Sequence, residues 1–152
     1  MKKSKIYSIN ISKTKGTPKT ATETAKLIEN LGLEQDAHAQ GGIKQVSLLS
    51  IESIRKQNNC PKIKKGTVLK PGDFAENITT EGIDLTTLKI GGKLTIGKDV
   101  ILEISKIGKE CHKYCAIYYK TGDCIMPREG IFAKVIKGGI IKRNDIIKVE
   151  KI

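Results

Sequence analysis

Apolar and polar residues alternate through Lys5-Ile6-Tyr7-Ser8-Ile9-Asn10-Ile11, the two-residue period of a strand with one buried face. The polar stretch Ser12 to Pro18 that follows reads as a loop. Between Thr20 and Asn30, apolar residues at Ala21, Ala25, Leu27 and Ile28 sit among good helix formers, a spacing that predicts a short amphipathic helix ending near Gly32. Gln45-Val46-Ser47-Leu48-Leu49-Ser50 has the apolar density of a buried strand, and Ser50 or Ser53 is placed to cap a short helix over 51–57 that Asn58-Asn59-Cys60-Pro61 ends.

Beyond Lys70 the pattern shortens. Glycines at 72, 82, 91, 92, 97, 108, 122, 130, 138 and 139 separate β-rich pieces at 74–80, 93–96, 100–107, 131–136 and 146–151. Short strands divided by glycine turns predict a mainly β fold, a sandwich or a closed barrel, and closure leaves no exposed sheet edge. The exception is 112–120, read as a short helix with Cys111 and Cys115 at i and i+4 on one face. No internal repeat or linker interrupts the chain, so residues 1–152 read as one domain.

Composition narrows the function classes. No apolar run approaches the ~20 residues of a membrane span, and the opening Met1-Lys2-Lys3-Ser4-Lys5 leads into too polar a stretch for a secretory signal. A cytoplasmic protein is expected. Four cysteines in 152 residues are too few for a disulfide scaffold, and such a chain keeps its thiols reduced unless they are catalytic or redox-active. The 28 basic against 16 acidic residues leave a net charge of +12, which favours anionic partners. The lysines are spread along the whole chain, however, and with no tryptophan and 4% aromatic residues there is little to stack on single-stranded nucleic acid. Nucleic acid is therefore a poor fit, and a solubilising surface explains much of the charge.

Three constellations carry candidate chemistry. The first is Cys111, Cys115 and Cys124 with His112, beside Lys109, Lys113 and Lys120. Cations, and a helix N-terminus if Cys111 starts one, lower a thiol pKa from its usual value of about 8.5 and favour the nucleophilic thiolate. The spacing suits structural zinc poorly, because only the lone Cys124 supplies a second arm. Cys115, followed by Ala116 and Ile117, also reads as a buried core thiol, whereas Cys111 lies near Gly108 and reads as exposed and reactive. A reversible disulfide from Cys111 to Cys115 or Cys124 stays open. The second constellation is Asp36-Ala37-His38 followed by Lys44, which reads either as ordinary surface polarity or as a site for an anionic or polar ligand. The third is the run Pro71 to Leu85, where Asp73, Glu76 and Asn77 have turn chemistry and edge hydrogen bonding as the simplest role.

These stretches together resemble the small stand-alone MOSC-domain proteins. The resemblance rests on Gly32-Leu33-Glu34-Gln35-Asp36-Ala37-His38, the strand Gln45 to Leu49, the run Pro71 to Leu85, and Ile107-Gly108-Lys109-Glu110-Cys111-His112 through Cys124-Ile125-Met126-Pro127-Arg128-Glu129-Gly130. MOSC domains are named for the C-terminal domain of molybdenum cofactor sulfurases. The resemblance implies a β-rich fold around a closed barrel of the pyruvate kinase type, and a link to molybdenum cofactor or to sulfur transfer. It matches Cys111 to the cysteine that carries sulfur or ligates molybdenum in the family. Where relatives commonly read Gly-Asp-Ala-His-Ala-Gly and then His-Arg-Gln-Val-Ser, this chain has Gln35, Gln40, Ile43 and Lys44. Ile43 removes a ligand, and Lys44 keeps the charge without the bidentate fork of arginine. Within these 152 residues no PLP-dependent desulfurase domain is expected.

On this resemblance the expected function is a molybdenum-cofactor-associated sulfur carrier or molybdopterin-binding protein. Cys111 accepts sulfane sulfur or binds molybdenum, His112 and the nearby lysines hold the anion, and Cys124 or Cys115 resolves a persulfide. Asp36, His38, Lys44, Asn77 and Arg128 are the candidate cofactor-binding residues. The expected partners are a cysteine desulfurase or molybdenum-cofactor enzymes. Two alternatives remain: a non-catalytic module binding an anion or cofactor, and a molybdenum-dependent reductase of N-hydroxylated compounds.

Overall fold

The structure is a computed structural model and describes residues 4–12, 19–36, 39, 41–42, 44–58, 68–107 and 130–150. In chain order the described strands are β1 (Lys5–Ile11), β2 (Thr20–Thr22), β3 (Thr24–Ile28), β4 (Gly32–Leu33), β5 (Val46–Ser50), β6 (Ile78–Glu81), β7 (Lys93–Ile96), β8 (Val100–Ile107), β9 (Ile131–Lys137), β10 (Gly139–Lys142) and β11 (Ile147–Val149). One α-helix, α1 (Ile51–Gln57), follows β5 directly, and a 3-10 turn covers Leu85–Thr87.

Eight strands form one sheet in the order β11-β7-β8-β9-β5-β6-β1-β2, and β10-β3-β4 form a second. The one parallel pair among the described strands is β5 with β6, and α1 lies in the connection between them, as a crossover requires. Register shifts between Ile6 and Ser8 in β1, and at two places between β8 and β9, add the local twist that bends a sheet. The large sheet is curled rather than closed. Its β11 end approaches β1, the strand next to the other end, through a single bridge among the described residues, Lys5 with Ile146, flanked by backbone hydrogen bonds from Ile6 N to Asp145 O (2.9 Å) and Ile147 N to Ser4 O (2.9 Å). This corrects the expected closed barrel. The bridge joins the first residue of β1 to Ile146, which lies just outside β11, and β2 pairs along β1, so no continuous ladder runs around the described strands.

Alternation decides the two faces. In β8, Val100, Leu102 and Ile104 are buried while Ile101, Glu103 and Ser105 are partly exposed. The inward set joins Ile6, Ile9, Leu48, Ile78, Leu94, Val135 and others in the main core. A second apolar cluster of Leu49, Ile51, Ile54, Leu69, Phe74, Ala75 and Phe132, with Tyr7 against it, seats α1 and the 69–75 stretch on the opposite face. Part of the positive charge is balanced across strands, since the register sets Glu103 between Lys93 and Lys134.

The helix over 51–57 forms as the sequence predicts, with Ser50 Oγ accepting from Ser53 N at 3.0 Å, a cap worth about 1 kcal/mol. The helix expected over 20–30 does not form. Thr20, Thr22, Thr24 and Ile28 are β-branched, and the stretch pairs instead as β2 on β1 and as β3 between β10 and β4. The strand expected over 74–80 begins only at Ile78, because Ala75 turns the chain with φ +62°, a left-handed conformation that interrupts a regular strand. β10 is a strand that the sequence pattern did not single out.

Candidate functional site

Asp36, Lys44 and Asn77 are the expected site residues that the structure describes. Cys111, His112, Cys124, His38 and Arg128 lie outside the described residues, as do Cys60, Cys115 and the expected helix over 112–120.

Asp36 follows β4 in a turn that Gln35 makes at φ +68°. Its Oδ1 receives Lys19 Nζ at 2.7 Å and Ser12 N at 2.9 Å, and neither the Lys19 nor the Asp36 side chain has exposed surface. A buried pair of this kind is costly to desolvate, so it acts mainly as a specific clamp: it ties the chain after β4 to the end of β1 and to the entry of β2.

Lys44 lies two residues before β5, half-buried, with its ammonium 5.9 Å from the Phe132 ring centroid. Gln45 holds this approach in place. Its Oε1 accepts from Val135 N at 3.0 Å and its Nε2 donates to Gly42 O at 2.8 Å. Close packing here needs glycine at 32, where φ is +137° and a Cβ would lie 2.5 Å from Gln45 O.

Asn77 is fully buried and braces three elements. Its Oδ1 accepts from Ser47 N (3.0 Å) and lies 3.1 Å from Ser47 Oγ, while its own N–H donates to Ser47 Oγ at 2.9 Å. Its amide donates to Asn10 O at 3.3 Å, and Asn10 N donates back to Asn77 O at 2.7 Å. The carboxamide therefore faces β5 and β1, and Asn77 has no surface to offer a ligand directly.

Beside it sits Glu76, also without exposed surface, accepting from Thr79 Oγ1 at 2.7 Å and Phe74 N at 3.3 Å. Burial pushes its carboxyl up from 4.5 to about 7, against the lowering effect of those hydrogen bonds. No ion pair involving Glu76 occurs among the described residues.

Among the described residues Asp36, Lys44 and Asn77 have separate partners: Ser12 and Lys19, the Phe132 ring, and Ser47 with Asn10. Asp36 binds at Ser12 and Asn77 at Asn10, both at the C-terminal end of β1, while Lys44 precedes the strand that carries Ser47. The segment holding the thiols departs from β8 at Ile107 and returns at β9 with Ile131, which is the cross-strand partner of Ile107.

The MOSC domain family model matches residues 35–148. The chain belongs to the MOSC domain family. Its fold resembles that of the YuaD protein from Bacillus subtilis, at 18% identity over 97% of this chain and 96% of that one, with a TM-score of 0.75. YiiM from Geobacillus stearothermophilus is similar at 19% identity over 97% of this chain and 75% of the other (TM-score 0.74). YiiM from Escherichia coli is similar at 16% over 98% and 69% (TM-score 0.68). Comparison with curated proteins gave no match.

In this MOSC domain several residues of the site left no mark in the sequence pattern. Lys19, Ser47, Asn10 and Thr79 are ordinary polar residues that each have a partner 17 to 69 positions away. The polar Ser47 between apolar neighbours in β5 was the available signal. Among the described residues no group of three His, Cys, Asp or Glu could hold a metal ion, and no helix is long and apolar enough to cross a membrane.

Proposed function

We propose that this MOSC domain is a cytoplasmic, molybdenum-cofactor-associated protein that carries sulfane sulfur on Cys111 or holds a molybdopterin-type cofactor with Cys111 as the molybdenum ligand. The family match over 35–148 carries the reading, because it spans every candidate site residue. The donor chemistry is compatible. A soft thiolate suits molybdenum and sulfur, and Lys44 provides a half-buried ammonium for a phosphate. When bound, the cofactor supplies a redox-active metal and sulfur ligands.

The residues of the chain take distinct roles in this reading. His112, Lys109 and Lys113 favour the Cys111 thiolate. Arg128 offers a fork for phosphate oxygens and Lys44 a point charge. Asn77 acts as a positioning residue that braces β5 through Ser47, and Asp36 as one that fixes the chain after β4 against the end of β1 and the entry of β2. In sulfur transfer the Cys111 thiolate attacks the terminal sulfur of a persulfide on a cysteine desulfurase. A new S–S bond forms on Cys111, the old one breaks, and the desulfurase cysteine leaves as thiolate, with no net oxidation.

The test is mass spectrometry after incubation with a cysteine desulfurase and cysteine. A gain of about 32 Da, one sulfur atom, is expected on Cys111; no gain, or one unchanged in Cys111→Ser, sinks the carrier reading. Molybdenum in protein purified from a cofactor-competent host, lost in Cys111→Ser, supports the ligand reading. Cofactor binding that survives Cys111→Ser but weakens in Arg128→Ala or Lys44→Ala would make the protein a non-catalytic module instead.

A further inference from the structure

A cleft of about 350 Å³ opens on the outer face of β1, lined by Tyr7, Ser8, Thr22, Glu23, Lys70 and Arg143. That volume is at the small end of ligand pockets. Its polar groups are arranged with a definite sense. Asn10 donates both amide hydrogens inward, to Glu76 O (3.1 Å) and Thr79 Oγ1 (2.9 Å), so its Oδ1 faces Ser8. Ser8 must then donate its one hydroxyl hydrogen to Asn10 Oδ1, at 2.8 Å. Toward the cleft Ser8 has only acceptor capacity.

The walls are complementary to that floor. Among the described residues no hydrogen bond or ion pair engages the Lys70 ammonium or the Tyr7 hydroxyl. Arg143 donates from Nε to Tyr7 O at 3.2 Å and keeps its side chain half-exposed, with the exposed Glu23 carboxylate the one ion-pair partner among the described residues, at 3.7 Å. Such a surface pair is weak and easily displaced. We propose that this cleft binds a small hydroxylated molecule carrying an oxyanion group, either a phosphate ester or a carboxylate. The oxyanion lies between Lys70 and Arg143 and accepts from the Tyr7 hydroxyl, and a ligand hydroxyl donates to Ser8 Oγ.

The test is an amide NMR titration of the full chain with glycerol 3-phosphate, glycerate and uncharged glycerol. Saturable shifts at Tyr7, Ser8, Thr22 and Lys70 are expected with one or both anions in the range up to about 10 mM, and none with glycerol. Whichever anion binds more tightly identifies the oxyanion as phosphate or carboxylate. Lys70→Gln is expected to weaken binding about tenfold at unchanged melting temperature, and Cys111→Ser to leave it unaltered, which separates this site from the sulfur or molybdenum reading. No saturable shift with either anion, equal shifts with glycerol, or binding that persists in both Lys70→Gln and Arg143→Gln would overturn the proposal.

Discussion

Thr79 donates its hydroxyl hydrogen to Glu76 Oε2 at 2.7 Å, at a place where neither residue has exposed surface. The carboxyl sits under the 69–77 stretch with its pKa raised by burial from 4.5 to about 7. The folded protein thus keeps a proton that the unfolded chain releases near pH 4.5. The stability this contributes is full below pH 4.5 and is lost as pH rises through about 7, by about 3 kcal/mol in all. Glu76→Gln keeps the acceptor toward Thr79 but sets an NH2 group against Phe74 N, so about 1 kcal/mol is lost at low pH. Its denaturant midpoints measured from pH 4 to 8 should lack the decline shown by the parent. An equal slope in both proteins would place the titration elsewhere.

Lys19 and Asp36 form a fully buried ion pair. Lys19→Met is expected to cost about 3 to 5 kcal/mol, because it removes a 2.7 Å cationic partner from a buried carboxylate. Adding Asp36→Leu should recover part of that and not all, since Ser12 N loses its acceptor as well. Urea unfolding of the two single variants and the double variant measures the coupling.

The reciprocal hydrogen bonds of Asn77 and Ser47 join the turn before β6 to the start of β5. Asn77→Ala leaves the Ser47 N–H buried without its acceptor, at a cost of about 2 kcal/mol. Asn77→Asp preserves the acceptor but buries a charge, and its loss should diminish as pH falls. Chemical denaturation at two pH values separates the cases.

Gly72 has φ +91°, and a Cβ built there would lie 2.2 Å from Lys19 O. Since Lys19 N donates to Gly72 O at 2.7 Å, the two backbones cannot separate without breaking that bond. Gly72→Ala is expected to lower stability by more than about 2 kcal/mol and to release amide protection at Lys19. Hydrogen exchange at that amide is the direct check.

Much of the fold could be read from local pattern: alternation, apolar density, a serine cap and glycine spacing. β1, β5, α1, β7, β8 and β9 each show a local pattern that tertiary contacts reinforce, as with the buried Val100, Leu102 and Ile104 of β8. The reading failed where local preference was divided. Residues 20–30 hold alanines and lysines that suit a helix and threonines that suit a strand, and pairing with β1, β10 and β4 settled the matter. At 74–77 the composition suggested a strand, but the left-handed Ala75 and the buried Glu76 and Asn77 make a turn.

The sequence by itself determined the mainly β class, the capped helix after β5 and the family, because alternation, capping and motif are properties of neighbouring residues. It also marked Asp36, Lys44 and Asn77 as polar residues in suggestive company. Only the tertiary structure decided what Asp36 and Asn77 do. Lys19 reaches Asp36 across 17 positions and Asn10 reaches Thr79 across 69, so the partners meet only once the sheet has curled. The same holds for the orientation of Ser8, which follows from an amide whose acceptors lie in another strand and the turn before it. A buried polar group takes its role from the groups that satisfy it, and in this chain those come from distant strands.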